Sequence, residues 1–286
     1  MSAFDPQRLR EDVLATFAGT PDDRLRELMQ VLVTHVHAFA EEVGLSSSER
    51  RLAVRFLTAV GQISGDARQE FELLSDVLGL SSLVEGGGTP AGATTQTLTG
   101  PFYAPGSPAR GFGESMVERD DGDPPVILRG RVTDTDGAPL PGATLDVWQN
   151  ASNRLYAIQD PEQPQFNLRG RYASDENGLY ELRTIRPVPY TIPSDGPVGT
   201  LLARTGRHPW RAAHIHLLVS CPGHLPLTTE VFDSESDHLA SDAVFGVAPE
   251  LIVRFAPGAE GVDCATFDIA LTKVSSAPAE LDYISE

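Results

Sequence analysis

Hydrophobic residues recur with two different periods along this chain, and the change of period divides it. Up to about residue 85 the spacing is helical. Leu25, Leu28, Met29, Leu32, Val33, Val36, Phe39 and Val43 follow a step close to 3.6 and stop at Gly44. Thr20-Pro21-Asp22-Asp23 predicts the start of that helix: Thr caps, Pro suits the first turn, and the acids complement the helix dipole. Ser46 and Glu49 predict a capping box for a second helix, with Leu52, Phe56, Val60 and Ile63 on one face. A shorter helix carries Phe71, Leu74, Val77 and Leu78 before Gly79. Residues 85–113 are dense in Gly, Pro and Ala and predict irregular chain at a domain boundary. From about residue 126 the period becomes two. The stretch 126–149 reads as strand, turn at Asp136-Gly137, strand, and 169–185 repeats it with a turn at Asn177-Gly178. HIHLLVS, LTTEVFD, LIVRF and TFDIALT add short strands. The expected fold is α+β, a helical N-terminal domain followed by an antiparallel β-sandwich.

Composition narrows the function. At 41% hydrophobic residues the chain can build a core. A formal net charge of −18, from 40 acids against 22 bases, repels phosphate backbones and anionic headgroups, so neither nucleic acid nor a membrane surface is an expected partner. The two cysteines, Cys221 and Cys264, are too few for a disulfide framework and match no zinc spacing, which fits a reducing compartment. The N-terminal stretch carries acids early and lacks the apolar core of a signal peptide. A cytoplasmic location is expected.

The seven histidines include two H-x-H pairs that invite a metal reading, and geometry separates them. His35 and His37 lie in the long predicted helix, where two positions are about 200° apart, so they cannot share an ion. His214 and His216 lie in a predicted strand, where two positions apart means the same face, with Ile215 pointing the other way. Their partners remain open from pattern alone. Carboxylates are plentiful enough for a two-histidine, one-carboxylate ferrous site. Tyrosine is the other option, since a phenolate is a hard anionic donor suited to Fe(III). Tyr156 and Tyr190, two of six tyrosines, lie in loop-like stretches where sites are commonly built.

The segments LTGPFY (98–103), GATLDVWQN (142–150), FNLRGR (166–171), DENGLYELRTIRPVPY (175–190) and GRHPWRAAHIH (206–216) resemble the intradiol ring-cleaving dioxygenases, the group of catechol and hydroxyquinol 1,2-dioxygenases. The resemblance covers nearly the whole chain. It implies a non-haem Fe(III), one per subunit, held by Tyr156, Tyr190, His214 and His216, with Tyr190 the displaceable ligand that serves as base and Arg211 lying over the substrate ring. Glu230, in LTTEVFD, departs from the glutamine of catechol enzymes. YTIPSDGPVGTLL, SDAVFGV and LLSDVLGLSSLV look closer to the hydroxyquinol enzymes. That closeness implies a substrate pocket of Leu73, Asp76, Leu98, Thr99, Gly100, Pro101, Ile192, Pro193, Arg211 and Val244, with Asp76 accepting from a third ring hydroxyl. The implied partners are O2 and a small aromatic diol or triol, with hydroxyquinol ahead of catechol and substituted catechols. Residues 1–95 are expected as a helical homodimerisation domain that also reaches the pocket, with a phospholipid at the dimer interface, and 96–286 as the catalytic sandwich. A different class stays in view: GRVTDTDGAPLPGATLDVW alone resembles non-catalytic sandwich modules appended to other proteins.

Overall fold

The computed structural model describes residues 4–65, 68–258 and 261–274. The chain forms two compact units, Met1–Gln62 and Ile63–Glu286. The first is helical: α1 (Pro6–Ala15), α2 (Asp23–Glu42) and α3 (Ser47–Ile63). The cap of α2 is Asp22, whose Oδ1 accepts from the Leu25 amide at 2.8 Å, rather than the expected Thr20. A carboxylate in an extended residue serves the free amides of the first turn better than a hydroxyl two positions earlier. The capping box of α3 forms as expected, with Ser46 N donating to Glu49 Oε2 at 2.8 Å and Glu49 N to Ser46 Oγ at 3.3 Å. The apolar stripe of α2 is left half exposed: Val31, Leu32, Val36, Phe39 and Val43 each keep 51–56% of their surface.

The second unit holds α4 (Glu70–Val77) and α5 (Leu80–Gly87) together with the sheets. The compact division at 62/63 thus groups α4 and α5 with the sheets. Side chains and backbone tie these helices to the sheet-bearing part: Ser82 Oγ donates to Val244 O at 2.7 Å, and the Val198 amide donates to Glu70 Oε1 at 3.0 Å. The latter bond caps α6 (Pro197–Arg204), a helix that the residue pattern did not predict.

One sheet joins β1 (Pro125–Asp134), β4 (Leu179–Ile185), β10 (Ala256–Pro257), β11 (Asp263–Thr266) and β12 (Ile269–Leu271). The other runs in the order β3 (Arg169–Ala173), β2 (Thr144–Trp148), β7 (His214–Ser220), β8 (Leu227–Asp233) and β9 (Ile252–Val253). Most pairs are antiparallel, but β1 with β11, β1 with β12, and β8 with β9 are parallel, so the sandwich is mixed. Those partners return from far along the chain, and no hairpin dictates their direction. Both expected turns form; at Asn177-Gly178, Gly178 has φ +75° and an added Cβ would lie 2.5 Å from the Val132 carbonyl oxygen, so only glycine fits. Val126, Leu128, Val132, Leu145, Val147, Ile215, Leu217 and Val219 alternate inward from both sheets and form one shared core. Among the described residues, no helix is long and apolar enough to cross a membrane.

Candidate metal centre

Because Ile215, Leu217 and Val219 face the core, His214 and His216 are turned to the outer face of the β3-β2-β7-β8 sheet. Strand register then builds a row of side chains on that face. Arg169 lies opposite Trp148, Trp148 opposite His216, and His216 opposite Glu230. The Trp148 indole stacks flat on His216, centroids 4.7 Å apart at 3°. A two-stranded ribbon, β5 (Tyr190–Thr191) with β6 (Trp210–Arg211), pairs Tyr190 with Arg211. Tyr156 comes from the connection between β2 and β3. Its ring is stacked on Phe102 at 4.7 Å and meets Tyr190 edge-on at 5.4 Å. Phe102, Trp148, Tyr156 and Tyr190 form a separate small core cluster around the histidines.

The structure therefore brings Tyr156, Tyr190, His214 and His216 together, all at most 3% exposed. His214 Nε2 and His216 Nε2 are 3.1 Å apart. His214 Nδ1 is 2.6 Å from the Ala212 carbonyl oxygen, so an Nδ1–H there leaves Nε2 with its lone pair. Burial keeps both imidazoles neutral: it pushes His214 down to about 3, with Arg211 adding to the effect, and pushes His216 far down. Burial pushes both phenols up; Tyr190 raises Tyr156 further, while Arg211 pulls Tyr190 back toward ionisation. His35 and His37 lie on α2 and belong to no such group among the described residues.

Arg211 is gripped from two sides. Its Nη1 and Nη2 donate to Glu230 Oε1 at 2.7 Å and Oε2 at 3.2 Å, and its Nε and Nη2 donate to Asp242 at 3.2 and 3.3 Å. Burial works against the guanidinium charge, and Asp242 and Glu230 more than offset it. Asp242 went unnoticed in the residue pattern, being 31 positions from the arginine it serves, with no period linking them.

Several features suit a bound cation. The buried Tyr156 hydroxyl meets no partner at good hydrogen-bonding geometry. An unsatisfied buried oxygen is costly and calls for an occupant. Two neutral imidazoles offer lone pairs at facing Nε2 atoms. Two buried carboxylates, Glu230 and Asp242, stand beside the imidazoles, engaged by Arg211, while the buried Arg169 acts on His216 from farther along the row. His214, His216 and Glu230 also form a group able to hold a metal, with donor atoms within 4.8 Å of one another.

The expected pocket residues are distributed unevenly. A cavity of about 600 Å³ is lined by Asp76, Leu98, Thr99, Gly100 and Pro101. A second, of about 250 Å³, is lined by Leu73, Asp76, Pro101, Phe102 and Pro193. Gly100 abuts the His216 ring, where an added Cβ would lie 3.7 Å from Cε1. Ile192, Val244 and Arg211 are buried and line neither cavity. Asp76 is 5% exposed, its Oδ1 has no partner, and burial raises its pKa to about 6 against the opposing hydrogen bond from Ser81.

The chain is similar to known proteins over most of its length. A family model described as Dioxygenase matches residues 98–273, and one described as Catechol dioxygenase N terminus matches residues 22–92. The 6-chlorohydroxyquinol 1,2-dioxygenase of Cupriavidus pinatubonensis is 41% identical over 95% of this chain and 99% of its own. The hydroxyquinol 1,2-dioxygenase of Rhodococcus opacus is 44% identical over 87% of this chain and 83% of its own. The crystal structure of hydroxyquinol 1,2-dioxygenase from Pseudomonas putida DLL-E4 superposes with a TM-score of 0.88 at 41% identity, covering 94% of this chain and 98% of that one.

Proposed function

Because this chain belongs to the intradiol ring-cleavage dioxygenase family, we propose that it cleaves hydroxyquinol (benzene-1,2,4-triol) between its adjacent hydroxyls with O2, at a non-haem Fe(III) held by Tyr156, Tyr190, His214 and His216. The product is 3-hydroxy-cis,cis-muconate, a tautomer of maleylacetate, and both oxygen atoms of O2 enter it. The observation that carries the reading is the convergence of two phenols and two neutral imidazoles beside a buried arginine. A ferric ion bound there supplies Lewis acidity that draws electron density from the substrate diolate and makes its ring reactive to O2.

The chain's own residues do the rest. Tyr190 Oη takes a proton from a substrate hydroxyl; the burial that raises its pKa makes its phenolate a stronger base than free tyrosine, near 10. Arg211, already fixed by Glu230 and Asp242, offers a preorganised cation to charge developing on the ring. Tyr156, wedged against Phe102, stays as the anchoring donor. Leu73, Leu98, Thr99, Gly100, Pro101, Ile192, Pro193 and Val244 exclude water around the ring. Asp76, with an unpartnered Oδ1 on the wall shared by both cavities, accepts the third hydroxyl.

Oxygen uptake measured with hydroxyquinol, catechol, 4-methylcatechol, 4-chlorocatechol and protocatechuate tests the substrate. Hydroxyquinol is expected to give the highest kcat/KM; a preference for catechol overturns the choice. Asp76→Ala should lower kcat/KM for hydroxyquinol roughly 10- to 100-fold, the worth of one hydrogen bond to a charged or strongly polar group, and leave catechol nearly unchanged. Equal losses on both substrates would remove Asp76 from the third-hydroxyl role.

We further propose a cytoplasmic homodimer joined through the N-terminal helices, working in aromatic catabolism. The half-exposed stripe Val31, Leu32, Val36, Phe39 and Val43 on α2 supports it, as a contiguous apolar face calls for cover. The same face suits the acyl chains of a phospholipid, which solvent extraction and mass spectrometry would detect. In sedimentation the protein should run at about twice the 30.7 kDa chain mass, and Val36→Glu should halve that. A Val36→Glu variant that still sediments as a dimer moves the interface elsewhere.

A further inference from the structure

We propose that Glu230 is a positioning and charge-setting residue of the metal centre: clamped by Arg211, its carboxylate backs the Nδ1 side of His216 and weakens the pull of the metal on its tyrosine ligands. The inference rests on the iron reading above.

Glu230 is fully buried on β8, directly across from His216 on β7. Its orientation leaves little choice. The Arg211 fork engages both carboxylate oxygens, at 2.7 and 3.2 Å, and Asp242 holds the other edge of the same guanidinium. Gly246 closes over the group: a Cβ there would come within 2.8 Å of Arg211 Nη2, 2.9 Å of Glu230 Oε2 and 3.3 Å of Asp242 Oδ2. The clamped carboxylate keeps Oε1 3.4 Å from His216 Nδ1, and that nitrogen has no hydrogen-bond partner. The two imidazoles are therefore backed differently. His214 Nδ1 faces the neutral Ala212 carbonyl at 2.6 Å, while His216 Nδ1 faces a carboxylate. A carboxylate behind a ligating histidine fixes its tautomer and makes it a stronger donor.

Charge adds to the effect. Glu230 is itself a buried carboxylate 3.4 Å from both imidazoles, in surroundings that screen it poorly, and the buried Arg169 guanidinium acts on His216 in the opposite sense. A stronger histidine donor and a nearby negative charge both lower the acceptor strength of a bound ferric ion. Glu230 Oε1 also lies 3.4 Å from His214 Nε2, so a carboxylate ligand completing a two-histidine site is the competing role. Engagement of both oxygens by Arg211 argues for the supporting one.

Iron-loaded Glu230→Gln protein separates these roles. The readouts are iron per chain and the energy of the visible tyrosinate-to-Fe(III) charge-transfer band. Iron should stay at the wild-type content, and the band should move to longer wavelength. Loss of iron makes Glu230 a ligand and overturns the proposal; an unmoved band reduces it to a structural residue and also overturns it. Asp242→Asn removes a carboxylate from the same guanidinium without touching His216, so it should shift the band clearly less. An equal shift refutes the specific link to His216. Should Glu230→Gln fail to fold, Glu230→Asp, which retracts the carboxylate from His216, is judged by the same two outcomes. Wild-type protein that binds iron yet shows no such band overturns the tyrosine ligands themselves, a failure visible before any variant is made.

Discussion

Tyr156→Phe will make the metal-free protein more stable and the iron-loaded protein nearly inactive. The substitution removes one oxygen and leaves the ring, so the stack on Phe102 and the edge contact with Tyr190 survive. In the metal-free fold that hydroxyl is fully buried and meets no partner at good hydrogen-bonding geometry, with the Tyr190 phenol as its polar neighbour. Removing an unsatisfied buried polar atom recovers its desolvation penalty, about 1–3 kcal/mol. A residue placed for metal binding is thus a liability to the empty fold, the usual tension between stability and function. On the catalytic side the variant loses an anionic donor. If the bound ion contributes several kcal/mol to the barrier, weakening its hold costs roughly 10³-fold in turnover. Urea unfolding of the chelator-treated protein reads the first effect, and oxygen uptake with iron content reads the second. A destabilised metal-free variant that retains iron and turnover would show the hydroxyl to be a structural group satisfied by water.

Local physics was legible where one element decides its own form. The step of apolar residues in α2 and the Ser46–Glu49 box of α3 are properties of a few consecutive residues, and both appear in the structure. The same holds for His214 and His216: strand alternation alone puts them on one face and Ile215 on the other. What escaped depends on distant chain. Helix α6 reads as loop because its first turn is capped by Glu70, 128 positions away. The parallel partners of β1 come from beyond residue 260, where no turn chemistry announces them. Tyr156 and Tyr190 sit on a connection and a two-residue ribbon, neither of which has a period; only a resemblance to a family could select them. The grip of Asp242 and Glu230 on Arg211 is likewise a product of register and folding, invisible in residue order.

That grip gives the second large effect. Arg211→Met should destabilise the fold by about 3–5 kcal/mol, because it strands two buried carboxylates without their cation. It should also cut turnover roughly 10²- to 10³-fold, as expected for removing a preorganised charge from a dry site. The stability loss should depend on pH in a definite direction. In the native protein burial alone would raise the pKa of Asp242, but Arg211 holds it below its usual value. A carboxyl with a depressed folded-state pKa adds stability above its unfolded pKa, near 3.9, and loses that contribution as pH falls through the folded value. Without the guanidinium, burial, the largest influence, is opposed mainly by the Gly246 amide, and the folded pKa should rise above the unfolded one. The carboxyl then costs stability as pH climbs above about 4, where the unfolded chain ionises freely. The gap between Arg211→Met and wild type should therefore be widest near pH 7.5 and narrow toward pH 4.5. Urea midpoints of both proteins at the two pH values measure it. A gap that stays constant, or widens in acid, would mean that the side chain acts there through its packing and not through its charge.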